Sequence, residues 1–371
     1  MSEAVTVSPV PLMDLLSMHR EIAEEVELGF EQVLSTGAFV NGPQVAAFEA
    51  EFAAYSGTAH CVGTANGTDA VELALRAGGV VAGDEVIVPA NTFVATAEAV
   101  ARIGAVTVCV DVADDTLLID PAAVEAALTA RTRAVIPVHL FGQMAPMAPI
   151  HRLAARDGLL VIEDAAQAQG ARQDEKGVGN GSFAAATSFY PGKNLGAYGD
   201  AGAVVCDDLD AAARMRRIGN HGSDRKYVHS EFGFNSRLDT LQAVVLSAKL
   251  RRLDGWNEQR RTAAARYTEL LAGSAVRTPV TGVGNEHVWH LYVVRVAERD
   301  QVLKGLQAEG IGAGIHYPVA VHQQPAFAGT APQGAPNSER AADEMISLPM
   351  FPGITAEQQQ RVVDVLLRQI A

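Results

Sequence analysis

Short runs of apolar, mostly β-branched residues alternate with amphipathic or alanine-rich stretches between residues 58 and 220. The apolar runs occupy residues 85–89, 106–111, 134–139, 159–163 and 203–206. Helices are predicted between them, for example over residues 121–130 and 148–157. Strands that are apolar throughout and separated by helices indicate a mainly parallel sheet covered on both faces. Ligands of such sheets bind at the carboxyl ends of the strands.

The pattern changes near residue 238, where a long helical period rich in arginine begins and continues to residue 271. The last hundred residues return to strands and helices more sparsely, with a strand over 290–295, a helix over 300–309 and a terminal helix from 355. Glycine and proline punctuate residues 329–336 without periodicity, which predicts a mobile loop.

These patterns predict two domains. A large α/β domain covers residues 1–250 and a smaller α+β domain covers residues 251–371, with the N-terminal segment as a candidate to pack against the smaller domain.

The chain has 371 residues and a formal net charge of −14. This acidity argues against nucleic acid or an anionic membrane surface as a partner, since either requires a basic face. An anionic substrate must then be held by local donors such as helix N-termini and a few arginines. Residues 1–11 show no leader pattern and no apolar run is long enough to cross a bilayer, so we expect a soluble cytoplasmic protein.

The three cysteines, Cys61, Cys109 and Cys206, are far apart and lie in apolar surroundings. This pattern predicts buried strand residues in a reducing compartment. Neither a zinc spacing nor a thiolate nucleophile is indicated, and no metal is expected.

Lys193 lies in a glycine-rich apolar turn, Ser-Phe-Tyr-Pro-Gly-Lys-Asn-Leu-Gly, over residues 188–196. A lysine becomes a nucleophile where its surroundings disfavour the ammonium form, and a Schiff base with a carbonyl cofactor is its usual use. The alternative is an ordinary surface lysine.

Asp164 and Gln167 follow the strand at 159–163. Asp164 is suited to hold the pyridinium nitrogen of pyridoxal phosphate, and Gln167 is suited to reach the ring hydroxyl oxygen. The alternative for the strand-end carboxylate is capping of the next helix.

Gly67 and Thr68 stand where a glycine turn opens onto a predicted helix, and free backbone N–H groups there favour a phosphate. The turn lacks the Gly-Lys-Thr of a P-loop and the dinucleotide fingerprint, and a plain helix cap is its alternative.

Phe93 follows the strand at 85–89 and can stack on a flat heterocycle, with core packing as the alternative. The alternatives weaken when the four elements are taken together, because each lies just past a predicted strand.

This ordered set resembles the fold-type-I pyridoxal phosphate enzymes and, within them, the DegT family of nucleotide-sugar aminotransferases. The similarity covers nearly the whole chain. Its motifs are Thr-Gly-Ala-Phe-Val-Asn-Gly-Pro at 36–43, Val-His-Leu-Phe-Gly-Gln at 138–143, Glu-Asp-Ala-Ala-Gln at 163–167, the lysine turn, Asn-Ser-Arg-Leu-Asp at 235–239 and His-Tyr-Pro at 316–318. The resemblance implies an α/β fold whose large domain has a mainly parallel seven-stranded sheet sandwiched by helices, followed by a smaller C-terminal α+β domain.

The resemblance also implies roles around the cofactor ring. Lys193 would bind pyridoxal 5′-phosphate as a Schiff base and move a proton to and from the substrate carbon. Asp164 would pair with the pyridine nitrogen, Gln167 would contact O3′, and Phe93 would stack on the ring.

Further implied contacts concern the phosphate and the assembly. Gly67, Thr68 and Ser188 would bind the phosphate together with Asn235 of the partner subunit, which makes the site a property of a homodimer. One departure is Asn66, because many relatives have a serine before the Gly-Thr pair; a side-chain contact there is left open.

The resemblance implies L-glutamate as amino donor and a nucleotide sugar as acceptor. Residues 232–239 are more similar to members that act on 3-keto-6-deoxy sugars, so a dTDP-3-keto-6-deoxyhexose is the favoured acceptor. The implied substrate contacts, for which loop packing or solvated surface is the alternative, are Lys226, Arg237, His316, Tyr317 and His322.

A 4-keto sugar or a cyclitol ketone as acceptor and a regulator without turnover stay open as alternatives. A family dehydratase would have histidine in place of Lys193. A family regulator would be expected to carry a DNA-binding module, and no basic or helix-turn-helix segment flanks this domain.

Overall fold

The computed structural model describes residues 8–370. Residues 1–7, part of the stretch without a leader pattern, lie outside the described part. The strands are β1 (His60–Thr64), β2 (Glu85–Pro89), β3 (Val106–Val110), β4 (Thr132–Val135), β5 (Leu160–Asp164), β6 (Arg172–Gln173), β7 (Lys176–Gly177), β8 (Ala184–Ser188), β9 (Gly202–Cys206), β10 (Ser223–Arg225), β11 (Val228–His229), β12 (Asn285–Glu286), β13 (Tyr292–Arg295) and β14 (Met345–Leu348).

Seven of these strands form one sheet in the order β1-β9-β8-β5-β4-β2-β3. Strand β9 runs antiparallel to both of its neighbours, and the other pairs are parallel. The predicted mainly parallel sheet of seven strands is confirmed. Asp164 ends β5 and Ser188 ends β8, so both residues lie at the same edge of the sheet.

The helices are α1 (Leu15–Arg20), α2 (Ala23–Thr36), α3 (Pro43–Ser56), α4 (Gly67–Ala77), α5 (Ala95–Arg102), α6 (Pro121–Ala126), α7 (Met147–Asp157), α8 (Leu209–Gly219), α9 (Thr240–Leu250), α10 (Leu253–Leu270), α11 (Arg299–Ala308), α12 (Pro336–Glu344) and α13 (Ala356–Ile370). They cover both faces of the sheet. One buried cluster joins the sheet to α3 and α9, for example through Phe48 and Leu246. The cluster on the other face includes Leu73 of α4 and Met215 of α8.

A third apolar cluster lies in the C-terminal part of the chain. It combines the antiparallel pair β13 and β14 with α10, α11 and α13. Tyr267 and Tyr292 are fully buried there with ring centroids 5.1 Å apart. Val10 belongs to this cluster and forms a parallel bridge with Ile311, so the N-terminal segment packs against C-terminal residues.

Several boundaries differ from the sequence prediction. The predicted strand at 134–139 ends at Val135, because Pro137 has no N–H group to continue the ladder. The long helical period from residue 238 is two helices, α9 and α10, separated at Arg251 and Arg252.

The segment 329–336 is held at the edge of the sheet rather than free. The carbonyl of Thr330 accepts a hydrogen bond from the Cys109 N–H at 2.7 Å, and Ala335 is fully buried. Glycine and proline leave this segment without a periodic pattern, but its backbone is still hydrogen-bonded to strand β3.

The three cysteines are buried and free, as predicted. Within residues 8–370, no helix combines the length and apolar character needed to cross a membrane.

Candidate active site

A cavity of about 340 Å³ lies at the carboxyl ends of the parallel strands. Residues singled out in the sequence that line it are Gly67, Thr68, Phe93, Asp164, Gln167, Ser188, Lys193, His316 and Tyr317. The lining is completed by residues that the sequence did not single out, among them Met13, Thr92, Tyr190, Asp200 and His290. The fold therefore brings together side chains from segments that are far apart in the sequence.

The start of α4 and the end of β8 form an anion cradle, made of Gly67, Thr68 and Ser188. The first N–H groups of a helix have no acceptor within it, and Asn66 caps this one. Strand β9 lies between β1 and β8, and its Gly202 pairs with Ser188, which brings Ser188 beside α4. A Cβ atom at Gly67 would lie 2.6 Å from the Ser188 Cβ, so the close approach requires glycine. Free N–H groups, the positive end of a helix and a hydroxyl group suit a phosphate.

Asp164 is buried, and both of its carboxylate oxygens accept hydrogen bonds. Thr96 Oγ1 donates to Oδ2 at 2.7 Å, and the Ala166 N–H donates to Oδ1 at 3.1 Å. The Thr96 hydroxyl also lies 3.0 Å from that of Thr92. These donors fix the orientation of the carboxylate and stabilise its negative charge. Thr96 was not identified from the sequence, where its only mark is a hydroxyl one helical turn after Thr92, just past β2.

The side-chain amide of Gln167 is held at both ends. Its Oε1 accepts from the Phe141 N–H at 2.6 Å, and its Nε2 donates to the Tyr317 hydroxyl at 3.0 Å. The Tyr317 ring lies 5.3 Å from that of Phe93. Because Phe93 is 52% exposed, core packing does not account for it, and its ring is available to the cavity.

Lys193 lies in the turn after β8, and its backbone N–H donates to the Tyr190 carbonyl at 2.8 Å. Burial lowers the pKa of Lys193 from 10.5 to about 8, and the negative charge of Asp164 opposes this shift without cancelling it. An amine with such a pKa is about one-tenth neutral at pH 7. The environment is that of a reactive lysine and not of a solvated one.

Two neutral histidines share the cavity with Lys193. The Nδ1 atom of His316 lies 2.8 Å from the Ser347 hydroxyl, and burial lowers the pKa of His316 to about 4. Burial also lowers the pKa of His290 well below 6.5, and the positive charge of Lys193 acts in the same direction on both rings. His290 was not identified from the sequence, where it only marks the start of a strand.

Asn235 and Arg237 are not part of the lining of this cavity. Arg237 lines a second cleft of about 360 Å³ near α3 and α8, and its guanidinium donates to Asn220 Oδ1 at 3.2 Å. Asn235 is exposed and forms an isolated bridge with Asn220. Within one chain neither residue lines the cavity that contains the anion cradle, and the predicted contact of Asn235 with a partner subunit's site stays a prediction.

Lys226 and His322 are also outside the cavity lining. Lys226 is exposed between β10 and β11, with its Nζ 5.1 Å from the centroid of the Tyr227 ring. The Nε2 atom of His322 lies 2.8 Å from Glu339 Oε1. Their predicted substrate contacts stay predictions. Among residues 8–370 there is no cluster of three or more His, Cys, Asp or Glu side chains that could hold a metal ion.

Comparison with known proteins extends these observations. The sequence profile of the DegT/DnrJ/EryC1/StrS aminotransferase family matches residues 20–367. The chain is 46% identical over 369 residues to dTDP-3-amino-3,4,6-trideoxy-alpha-D-glucose transaminase of Streptomyces venezuelae, covering 99% of this chain and 97% of that protein. It is 48% identical over 360 residues to the pleiotropic regulatory protein of Geobacillus stearothermophilus, covering 96% of this chain and 97% of that protein.

Among solved structures, that of S. venezuelae DesV in complex with a ketimine intermediate matches with a TM-score of 0.95 at 46% identity, covering 98% of each chain. The likeness in sequence and in structure thus extends over almost the whole chain. The protein belongs to the DegT/DnrJ/EryC1/StrS aminotransferase family and is an enzyme of the aminotransferase class.

Proposed function

We propose that the protein transfers an amino group from L-glutamate to a nucleotide-linked keto-sugar, with pyridoxal 5′-phosphate as cofactor. The favoured acceptor is a dTDP-3-keto-6-deoxyhexose, which would become a dTDP-3-amino-3,6-dideoxyhexose. The observation that carries the proposal is the position of Lys193. Its amine, with a pKa lowered to about 8 by burial, shares one cavity with Asp164 and the anion cradle.

The donor set of the cavity fits pyridoxal phosphate. The cradle has no room for a Cβ at Gly67 and offers N–H groups and a hydroxyl to a phosphate. Asp164 offers a carboxylate to the pyridine nitrogen, Gln167 an amide to the ring oxygen, and Phe93 a stacking surface, while Lys193 supplies the amine for attachment. When bound, the cofactor supplies the electron sink and the transient carrier of the amino group.

The chain's own residues account for proton transfer and orientation. A fraction of Lys193 is neutral and can take a proton from the substrate carbon, and the ammonium that results can return it. Thr96 keeps Asp164 oriented toward the role of charge partner for a protonated ring nitrogen. The Phe141 N–H fixes the Gln167 oxygen, which leaves the Gln167 nitrogen on the side of the cavity.

Two observations support the choice of acceptor. The S. venezuelae relative is named for a dTDP-3-amino sugar, and residues 232–239 resemble those of members that act on 3-keto sugars. We assign His316 and Tyr317 to the sugar because both line the cavity. Lys226, Arg237 and His322 are proposed for the sugar or the diphosphate.

The proposal includes a homodimer. Asn235 is exposed on its own chain and lies outside the cavity lining, so its proposed phosphate contact requires a partner subunit. Sedimentation of the protein with and without an Asn235→Ala change, together with cofactor titration, tests this part. Cofactor binding that is unchanged in the variant would contradict it.

The main experiment is a panel assay with L-glutamate and paired 3-keto and 4-keto nucleotide sugars, with dTDP and UDP as nucleotides and a cyclitol ketone as a further acceptor. We expect the fastest amination with the dTDP-3-keto sugar and an amine at C3 in the product, read by NMR. Faster amination of the 4-keto compound would reverse the assignment.

A regulator that binds the cofactor without turnover is the second candidate, because the G. stearothermophilus relative is named a regulatory protein. The visible spectrum of the loaded protein separates the two. A spectrum that changes on addition of L-glutamate supports the transaminase, and an unchanged spectrum supports the regulator.

Changing Lys193 to alanine should abolish turnover and remove the absorbance of the lysine-bound cofactor, because no other amine of the cavity lining can replace it. Activity and visible absorbance are measured on the same preparation. A fully active Lys193→Ala protein would refute the proposed function.

A further inference from the structure

A buried chain of amides connects the lysine turn to the helix behind it. Asn194 follows Lys193 directly, is 1% exposed, and donates from Nδ2 to Asn257 Oδ1 and to the Val288 carbonyl, each at 2.9 Å. Asn257 on α10 donates from Nδ2 to the Gln169 carbonyl at 3.0 Å. A backbone carbonyl can only accept, so each contact fixes which end of its amide is the nitrogen.

The orientation of Asn194 fixes the tautomer of His290. Asn194 Oδ1 lies 3.1 Å from His290 Nδ1. Because an amide oxygen only accepts, Nδ1 is the protonated nitrogen. Burial and the nearby positive charges of Lys193 and Arg260 lower the pKa of His290 well below 6.5. The ring is therefore neutral at physiological pH, and Nε2 holds a free electron pair.

The Nε2 atom of His290 and the Nζ atom of Lys193 are complementary groups of the same cavity. Both residues line it, and the positive charge of Lys193 contributes to lowering the pKa of His290. The two atoms are not hydrogen-bonded to each other in the structure, and within residues 8–370 neither has another hydrogen-bonding partner, whereas His290 Nδ1 has Asn194. The Lys193 amine can donate a hydrogen bond, and the unprotonated Nε2 of His290 can only accept one.

We propose that His290 is a positioning residue for Lys193: Asn194 holds it as the Nδ1–H tautomer, and its Nε2 accepts a hydrogen bond from the Lys193 amine when that flexible side chain turns toward it. The catalytic consequence rests on the proposed function, whereas the tautomer does not. A lysine side chain has four rotatable bonds, and a fixed acceptor reduces the positions its amine samples. Its loss should slow steps that use the amine and leave substrate affinity unchanged.

Two variants separate the roles of the two ring nitrogens. In His290→Asn, the side-chain nitrogen takes the place of Nδ1 and still donates to Asn194, but nothing replaces Nε2. In His290→Gln, the amide oxygen reaches the place of Nε2 and still accepts. We expect His290→Asn to lower kcat about tenfold, the size expected for losing a hydrogen bond to a charged group, with KM for both substrates unchanged. His290→Gln should retain most of kcat.

A second readout does not depend on turnover. Cofactor-free enzyme is mixed with pyridoxal phosphate, and visible absorbance follows its attachment to Lys193. His290→Asn should slow attachment about tenfold, and His290→Gln should restore it. Equal losses in both variants, or a raised KM with unchanged kcat, would overturn the proposal, because either result indicates packing or substrate contact instead.

The tautomer itself is measured by ¹⁵N NMR of histidine-labelled, cofactor-free enzyme at neutral pH, with His290→Asn to assign the signal. We expect a protonated Nδ1 and an unprotonated Nε2, and loss of this preference in Asn194→Ala. A protonated Nε2 or an imidazolium signal would overturn the proposal. An enzyme that shows the expected tautomer and attachment rates but no transamination would remove the proposed function and leave the positioning role intact.

Discussion

Replacing Lys193 with methionine should stabilise the cofactor-free protein at neutral pH. Burial in the folded state lowers the pKa of this lysine from 10.5 to about 8. An unfolded chain exposes the side chain and restores the ordinary value, so the folded state binds the proton less tightly. A shift of about 2.5 pKa units corresponds to roughly 3 kcal/mol of folding free energy lost at pH 7. Methionine is similar in length and uncharged, and it removes this cost.

The predicted gain depends on pH in a defined direction. Between the folded pKa of about 8 and the unfolded value of 10.5, the unfolded state binds more protons at Lys193, so the stability of the parent protein rises with pH. The advantage of Lys193→Met is therefore greatest below pH 8 and shrinks by about 1.4 kcal/mol for each pH unit above it. Burial also lowers the pKa of Lys249 to about 8, but Lys249 is present in both proteins and cancels in the comparison.

The assay is urea unfolding of the two cofactor-free proteins at pH 7 and at about pH 9.5, followed by circular dichroism. Lys304→Met, at an exposed position of α11, is the control and should change the free energy of unfolding by less than about 0.5 kcal/mol. Equal stability of Lys193→Met and parent at pH 7 would refute the reasoning. The same gain at both pH values would also refute it, because the gain would then come from packing and not from the charge.

Two further predictions concern residues next to the proposed cofactor contacts. Thr96→Val removes the hydroxyl that donates to Asp164 at 2.7 Å and should weaken cofactor binding about tenfold to a hundredfold in an absorbance titration. The control Thr107→Val loses only a long contact of 3.5 Å to the Ala97 carbonyl. Equal cofactor affinities of the two variants would contradict the role of Thr96. Gly67→Ala places a Cβ 2.6 Å from that of Ser188 and should weaken cofactor binding at least about tenfold, because overpacking costs about 1–3 kcal/mol. Its control is Gly255→Ala in α10, where nothing lies within 4 Å, and unchanged cofactor affinity in Gly67→Ala would show that the cradle is not the phosphate site.

The sheet was predictable from the sequence because its strands are buried on both faces. A strand buried on both faces has a continuous apolar run, as at residues 85–89. Strand order was not predictable from the pattern, since β9 enters between β1 and β8 through contacts that no local signal encodes. The same limit applies to ends of elements: Pro137 shortens β4, although the apolar run continues past it.

Site residues that follow a strand or open a helix were predictable, since their place in the local pattern already puts them at the ligand edge. Lys193, Asp164 and Gly67 are of this kind, and all line the cavity. Thr96 and His290 were missed because their roles come from contacts across the fold, with Asp164 and Asn194 respectively. Such pairings depend on which elements the fold brings together. The place of Thr96 one helical turn after Thr92 indicated a hydroxyl near the ligand edge, but nothing in a single sequence pairs Thr96 with Asp164 or His290 with Asn194.

Burial decides which side chains of the cavity are charged, because it lowers the pKa of Lys193, His290 and His316. A chain with net charge −14 repels a phosphate-bearing ligand at long range, so attraction must come from groups within about 10 Å of the ligand. The N-terminus of α4 offers a partial positive charge there. His290 and His316 add none, because burial lowers the pKa of each below the physiological range. Were either ring cationic, it would lower the pKa of Lys193 further and leave less ammonium to return a proton. Because both rings are neutral, the pKa of Lys193 stays at about 8, which is in the range that the proposed proton transfer by its amine requires.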